Sequence, residues 1–177
     1  MPKISVLMGA YNCAETIGKS IESIQAQTIT DWELIICNDG SNDNTVDVVK
    51  QYQENDDRIV LIENEKNSVF AFTLNRCLEL AKGDICARMD SDDLCDPQRF
   101  EIQLEFLEQH PEYSFVSTTM KRFDEDGFYD EPAIGEGYSP TNMSFVKGSP
   151  FCNAPVMIKK EAYDAVDGYR VRPEILG

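Results

Sequence analysis

In the first 110 residues, short apolar runs alternate four times with segments of helical periodicity, and this alternation constrains the fold more than any other feature. Ile4-Ser5-Val6-Leu7-Met8 is a compact run near the N-terminus, a buried strand. Ile17, Ile21 and Ile24 then recur at helical spacing and predict a helix over residues 14–27. Glu33-Leu34-Ile35-Ile36-Cys37 is a second strand, Thr45 to Tyr52 a short helix, and Arg58-Ile59-Val60-Leu61-Ile62 a third strand. Ser68 to Ala81 sets Ala71, Leu74, Leu78 and Ala81 on one helical face, and Asp84 to Met89 is a fourth strand. Pro97 opens a fourth helix, where its missing N–H costs nothing, and Phe100, Leu104 and Leu107 line it. Such alternation predicts an open, mainly parallel α/β sheet with helices on both faces, three layers in all.

The second half is less regular. Ser114 to Thr119 reads as a fifth strand, and Asp126-Gly127 as a hairpin turn between Met120–Phe123 and Phe128-Tyr129. Pro140 to Val146 is expected to be a short helix, Ala154 to Ile158 a strand, and Lys159 to Val166 a helix ending at Gly168. A hairpin among crossovers makes the sheet mixed. The 177 residues, 42% of them hydrophobic, are enough for one domain with a real core.

Charge and composition exclude several functions. A net charge of -16 argues against nucleic acid or an anionic bilayer as a direct partner. No run has transmembrane length, and the N-terminus lacks a basic-then-apolar signal pattern, so a cytoplasmic location is expected. Contact with the inner face of a membrane would fall to residues beyond Gly177. The six cysteines form no C-x-x-C pair and His110 is the one histidine, which disfavours structural zinc and any Ser-His or Cys-His nucleophile. The sequence assigns no oligomeric state.

Ligands of doubly wound sheets sit beyond the carboxyl ends of the strands. Three polar clusters lie there: Gly9-Ala10-Tyr11-Asn12, Asn38-Asp39-Gly40-Ser41 and Asp90-Ser91-Asp92-Asp93. Each alone is ordinary turn chemistry; three at one sheet edge point to a binding site. The last carries three carboxylates, which resist joint ionisation without a counter-charge. A hard divalent cation shared with a ligand phosphate supplies one. No G-x-G-x-x-G or G-x-x-x-x-G-K-[ST] is present, so a backbone phosphate cradle is not expected.

From Lys3 to about Tyr169 the chain resembles the nucleotide-sugar-binding portion of a family 2 glycosyltransferase of GT-A fold. The matching pieces are Ile4 to Asn12, Asn38 to Asp43, Asn75 with Ala81-Lys82-Gly83-Asp84, Ala87 to Asp93, and Pro150 to Gly168-Tyr169. The resemblance implies a metal-dependent, inverting transfer from a nucleotide diphosphate sugar, a UDP-sugar, to a saccharide or lipid-linked acceptor in bacterial surface polysaccharide synthesis. It implies that Ala10, Tyr11 and Asn12 frame the base and ribose, that Glu15 stands near the nucleotide, and that Asp39 accepts a hydrogen bond from the base. Asp90 and Ser91 would meet the donor, Arg88 would meet the donor or pair with the aspartate cluster, and Asp92, with Asp90, would hold Mg²⁺ or Mn²⁺. Asp93 would orient the loop or cap the helix that Pro97 opens.

The chain also departs from that pattern. Asn38 replaces the first Asp of the common Asp-Asp-Gly-Ser, and Leu74 stands where many relatives have Arg before the matching Asn. The family's general base is an Asp in a Glu-Asp pair soon after the Gly-Tyr. No such pair precedes Gly177, and Glu174 stands beside Pro173. The expectation is a GT-A domain over residues 1–177 whose base and acceptor region lie beyond Gly177. The alternatives are a donor-binding fragment without catalysis and a sugar nucleotidyltransferase, which wants a glycine-rich basic loop after the first strand. A haloacid-dehalogenase-type phosphatase carries its Asp-x-Asp on the first strand, and an EF-hand would need an oxygen ligand and a glycine where Leu94 and Cys95 stand.

Overall fold

The computed structural model describes residues 1–124, 127–129 and 152–171. In chain order the elements are β1 (Ile4–Ala10), α1 (Ile17–Gln25), β2 (Trp32–Asn38), α2 (Thr45–Gln53), β3 (Ile59–Glu63), α3 (Phe70–Leu80) and β4 (Ile85–Arg88). They continue as α4 (Arg99–Gln109), β5 (Phe115–Val116), β6 (Arg122–Asp124), β7 (Gly127–Tyr129), β8 (Met157–Lys159) and α5 (Lys160–Asp164). Six strands form one sheet in the order β3-β2-β1-β4-β8-β5, and β6 pairs with β7 as an antiparallel hairpin. β1 to β4 run parallel, while β8 runs antiparallel to both β4 and β5. The expected mixed, mainly parallel three-layer α/β sheet is the observed one.

Strand order reverses between β1 and β4. From β1 the chain steps outward to β2 and β3, then returns to place β4 on β1's other side. That reversal opens a crevice at the carboxyl ends of β1 and β4. β1 and β2 lie inside the sheet and are buried at every residue, as strands covered on both faces must be.

Two cores follow from the alternation of side chains across the sheet. One joins Ile4, Val6, Met8, Leu34 and Ile36 to α1 (Ile17, Ile21, Ile24), α2 (Val49) and α4 (Phe100, Leu104, Leu107). The other joins Leu7, Ile35, Cys37 and Cys86 to α3 (Leu74, Cys77) and α5 (Tyr163). Leu74, one of the departures from the family pattern, is 1% exposed in that second core and does not border the crevice.

Helix starts differ from their sequence expectations for local reasons. α1 begins at Ile17, because Cys13 to Thr16 form a turn in which the Cys13 carbonyl accepts the N–H groups of Thr16 and Ile17. α4 begins at Arg99, since Asp96 caps the turn: its carboxylate accepts the Gln98 N–H at 2.9 Å and its carbonyl the Arg99 N–H at 3.0 Å. Asp93 therefore caps nothing there. The expected helix over 140–146 and the tip of the β6–β7 hairpin lie outside the described residues. No helix among the described residues is long and apolar enough to cross a membrane.

Candidate functional site

Side chains two apart on a strand share a face, and paired residues of parallel strands share it too. Gly9 pairs with Cys37, and Leu7 with Arg88. Gly9, Cys37 and Arg88 thus point to the α3 face of the sheet, and Tyr11, Asp39 and Asp90 continue those rows past the strand ends. Tyr11, Asp39, Arg88 and Asp90 converge because they share one parity.

They line a cleft of about 370 Å³, a size suited to a small ligand. Ala10, Tyr11, Asp39, Arg88, Asp90, Ser91 and Asp92 all border it. Two expected residues do not. Asn12, at φ 48°, stitches two loops: its N–H donates to Ser41 Oγ at 2.9 Å, and its Oδ1 accepts the Asn42 N–H at 2.8 Å. Cys13 N–H to Thr45 Oγ1 and Ala14 N–H to Asp43 Oδ2 extend the seam. Glu15 is exposed in the turn before α1 and is not among the residues that border the cleft.

The segment after β3 supplies a wall that the sequence clusters did not include: Asn67, Ser68, Phe70 and Thr73. Asn64-Glu65-Lys66-Asn67-Ser68 is a polar run at the same sheet edge as the other three, and that was the available signal. Asp39 holds this wall in place. Its buried carboxylate accepts the Ser68 N–H at 3.0 Å on each oxygen and Asn64 Nδ2–H at 2.7 Å. Asn64 in turn accepts from Arg76 Nη1 at 2.8 Å. Asp39 is therefore more than a turn residue, since it couples the β2 end to the entry of α3.

The acidic loop is neutralised in part from within. Arg88 forks onto Asp90, with Nε and Nη2 reaching Oδ1 at 3.2 and 3.0 Å and Nη2 reaching Oδ2 at 3.2 Å. The guanidinium also lies 4.9 Å from the centre of the Phe70 ring. Behind the loop, buried Arg99 donates to the Arg88 carbonyl at 2.8 Å and to Gln103 Oε1 at 3.0 Å. Arg88 thus forms the ion pair with the aspartate cluster that was one of its two expected roles, and supplies part of the counter-charge. Burial, then the charges of Asp90 and Asp92, pushes the Asp93 carboxyl above its ordinary range. The Asp93 carbonyl accepts from Ser20 Oγ at 2.8 Å, fixing the loop to α1.

Asp92 is exposed, borders the cleft and has no hydrogen-bond partner among the described residues. No three His, Cys, Asp or Glu side chains converge on one point among the described residues. Hard carboxylate oxygens in so small a number fit a magnesium-like ion, which keeps waters and takes ligand phosphates rather than a full protein cage. They do not fit zinc. None of the residues bordering the cleft is a cysteine, and burial pushes Cys86 up to about 12 and raises Cys95.

Comparison with known proteins shows the fold and the family. The chain is 46% identical over 170 residues to "Putative glycosyltransferase EpsE" of Bacillus subtilis (strain 168), covering 96% of this chain and 60% of that protein. Staphylococcus aureus TarS 1–349, solved in complex with UDP, superimposes with a TM-score of 0.72 at 20% identity, over 94% of this chain and 49% of that one. Mannosyltransferase PcManGT from Pyrobaculum calidifontis, solved with GDP-Man and Mn²⁺, gives a TM-score of 0.75 at 20% identity, over 96% and 48%. The chain thus spans a half to three fifths of the length of these proteins, and the two solved structures share its fold. The model for glycosyl transferase family 2 matches residues 5–166, so this chain is a member of that glycosyltransferase family.

Proposed function

We propose that the cleft binds a nucleotide diphosphate sugar, a UDP-sugar, for inverting transfer to a saccharide or lipid-linked acceptor hydroxyl in surface polysaccharide synthesis. The observation that carries this is the convergence of Tyr11, Asp39, Arg88, Asp90 and Asp92 on one cleft where strand order reverses. Tyr11, 46% exposed, offers a ring face for the base. Asp39 Oδ2 carries one hydrogen bond, and it has a lone pair left for the imide N–H of uracil. The acidic end receives the pyrophosphate.

Asp92 would hold Mg²⁺ or Mn²⁺, with Asp90 beside it while Arg88 steadies the Asp90 carboxylate. When bound, such an ion offsets the charge that grows on the departing nucleoside diphosphate. In the transfer itself, the acceptor oxygen bonds to the anomeric carbon on the face opposite the leaving group. The bond from that carbon to the phosphate oxygen breaks, with its electron pair staying on the nucleotide. The hydroxyl proton passes to a general base. No described residue is assigned that part, so this portion of the chain is proposed to hold the donor.

Calorimetric titration with UDP, UDP-sugars and GDP-mannose, with and without Mn²⁺, tests the proposal. Metal-dependent UDP binding that Asp92→Ala abolishes, with thermal stability unchanged, is the expected result. A folded protein that binds no nucleotide under any metal condition refutes it, and preference for GDP-mannose refutes the choice of uracil.

A further inference from the structure

Phe70 is an anomaly in this cleft. It opens α3, yet the residue is 45% exposed in a concavity that also holds Asp39, Asn67, Ser68, Arg88, Asp90 and Asp92. A phenylalanine at a helix's first position does little for the helix, and half of its possible burial is forgone. The fold nonetheless accommodates the ring closely. Position 9 is glycine, and a Cβ there would stand 2.7 Å from Phe70 Cε2 and 3.4 Å from Thr73 Cγ2. One face of the ring carries the Arg88 guanidinium.

The ring's place along the cleft indicates what it meets. Two residues before it, the Ser68 N–H is clamped by Asp39, at the end assigned to the base. Across its face lies Arg88, forked onto Asp90, at the end assigned to the pyrophosphate. Between the base and the diphosphate of a nucleotide lies the ribose, whose C–H groups form an apolar surface. We propose that Phe70 is a ligand-contacting residue that receives the ribose of the donor nucleotide, making it a second aromatic surface beside Tyr11. The assignment rests on the nucleotide-sugar function proposed above.

Nucleoside and nucleotide titrations of Phe70→Leu separate a ribose contact from simple support of Arg88. Uridine without metal probes the nucleoside end alone, and UDP with Mn²⁺ probes both ends. Loss of a ribose contact weakens both ligands by a similar factor, about five- to tenfold. Phe70→Tyr, which keeps the ring, restores affinity to within about twofold. Weaker UDP binding with unchanged uridine binding overturns the proposal, because the ring then acts only through Arg88 and Asp90. Equal UDP affinity in the wild type and Phe70→Leu also overturns it. A wild type that binds neither uridine nor UDP refutes the nucleotide function itself, and the ribose contact with it.

Discussion

The side chain of Asn75 binds the backbone of Tyr169 twice: Nδ2–H donates to the Tyr169 carbonyl at 2.9 Å, and Oδ1 accepts the Tyr169 N–H at 2.8 Å. The amide acts as a strand edge would, tying α3 to a turn 94 residues away. Gly168 makes the approach possible, with φ at +74° and a Cβ that would meet Asn75 Oδ1 at 2.7 Å. The Tyr169 hydroxyl pairs with that of Tyr163. Asn75→Ala strands two backbone groups and is expected to cost about 2 kcal/mol, and Gly168→Ala at least about 1 kcal/mol, as read from urea unfolding midpoints. Unchanged midpoints in both would contradict the clamp.

Asp39→Asn keeps the shape but turns one acceptor into a donor. An NH₂ group then faces the Ser68 N–H, which now lies at 3.0 Å from both carboxylate oxygens. Stability is expected to fall by about 1 kcal/mol, and UDP affinity by more than about tenfold, because the charged acceptor and the β3–α3 wall are disturbed together. Wild-type UDP affinity in this variant would separate Asp39 from the ligand.

Arg88→Lys tests the fork. A lysine ammonium cannot reproduce the guanidinium fork onto both oxygens of Asp90 with its carbon 4.9 Å from the Phe70 ring centre. The expected result is a loss of about tenfold in UDP·Mn²⁺ affinity despite the conserved charge. Rescue of full affinity by lysine would mean that charge alone matters.

Stability at low pH is expected to depend on Asp56. Hydrogen bonds from Arg58, together with one from Gln25, hold its carboxyl at about 2, below the ordinary carboxylate value. A depressed folded value stabilises the fold above the unfolded pKa of about 4 and loses that contribution as pH falls toward the folded value. Arg58 is 37% exposed, so solvent screening limits the contribution to about 1 kcal/mol. Asp56→Asn should therefore be less stable than the wild type at neutral pH, with the difference shrinking through about pH 2 and gone near about pH 1, below both values. A difference that persists near about pH 1 would assign the effect to packing, since Arg58 also covers the Trp32 ring at 3.7 Å.

The sequence alone made the layered sheet and most of the cleft legible. Apolar runs four to seven residues long between helical periods can form little else than parallel strands. Within a run, period-two alternation sends Gly9 and Tyr11, or Arg88 and Asp90, to the same side wherever the neighbours lie. Helix starts were less legible, because Thr16 closes a local turn on the Cys13 carbonyl and Ser68 answers to a loop from elsewhere. Ser68 donates its N–H to Asp39 instead of beginning α3.

What the sequence by itself determined, then, is local: strand, helix, face, and the polar residues that follow each strand. The tertiary structure decided which of those residues meet. Register sets Leu7 beside Arg88 and Gly9 beside Cys37, and so brings Asp90, Tyr11 and Asp39 to one crevice. The seam to Ser41 and Asn42 draws Asn12 away from it, and the Asp39 clamp on Ser68 carries Phe70 into it. The physical reason is that periodicity acts between neighbours in the chain. The hydrogen bonds that place a loop join residues tens of positions apart, and they exist only once the sheet has aligned its strands.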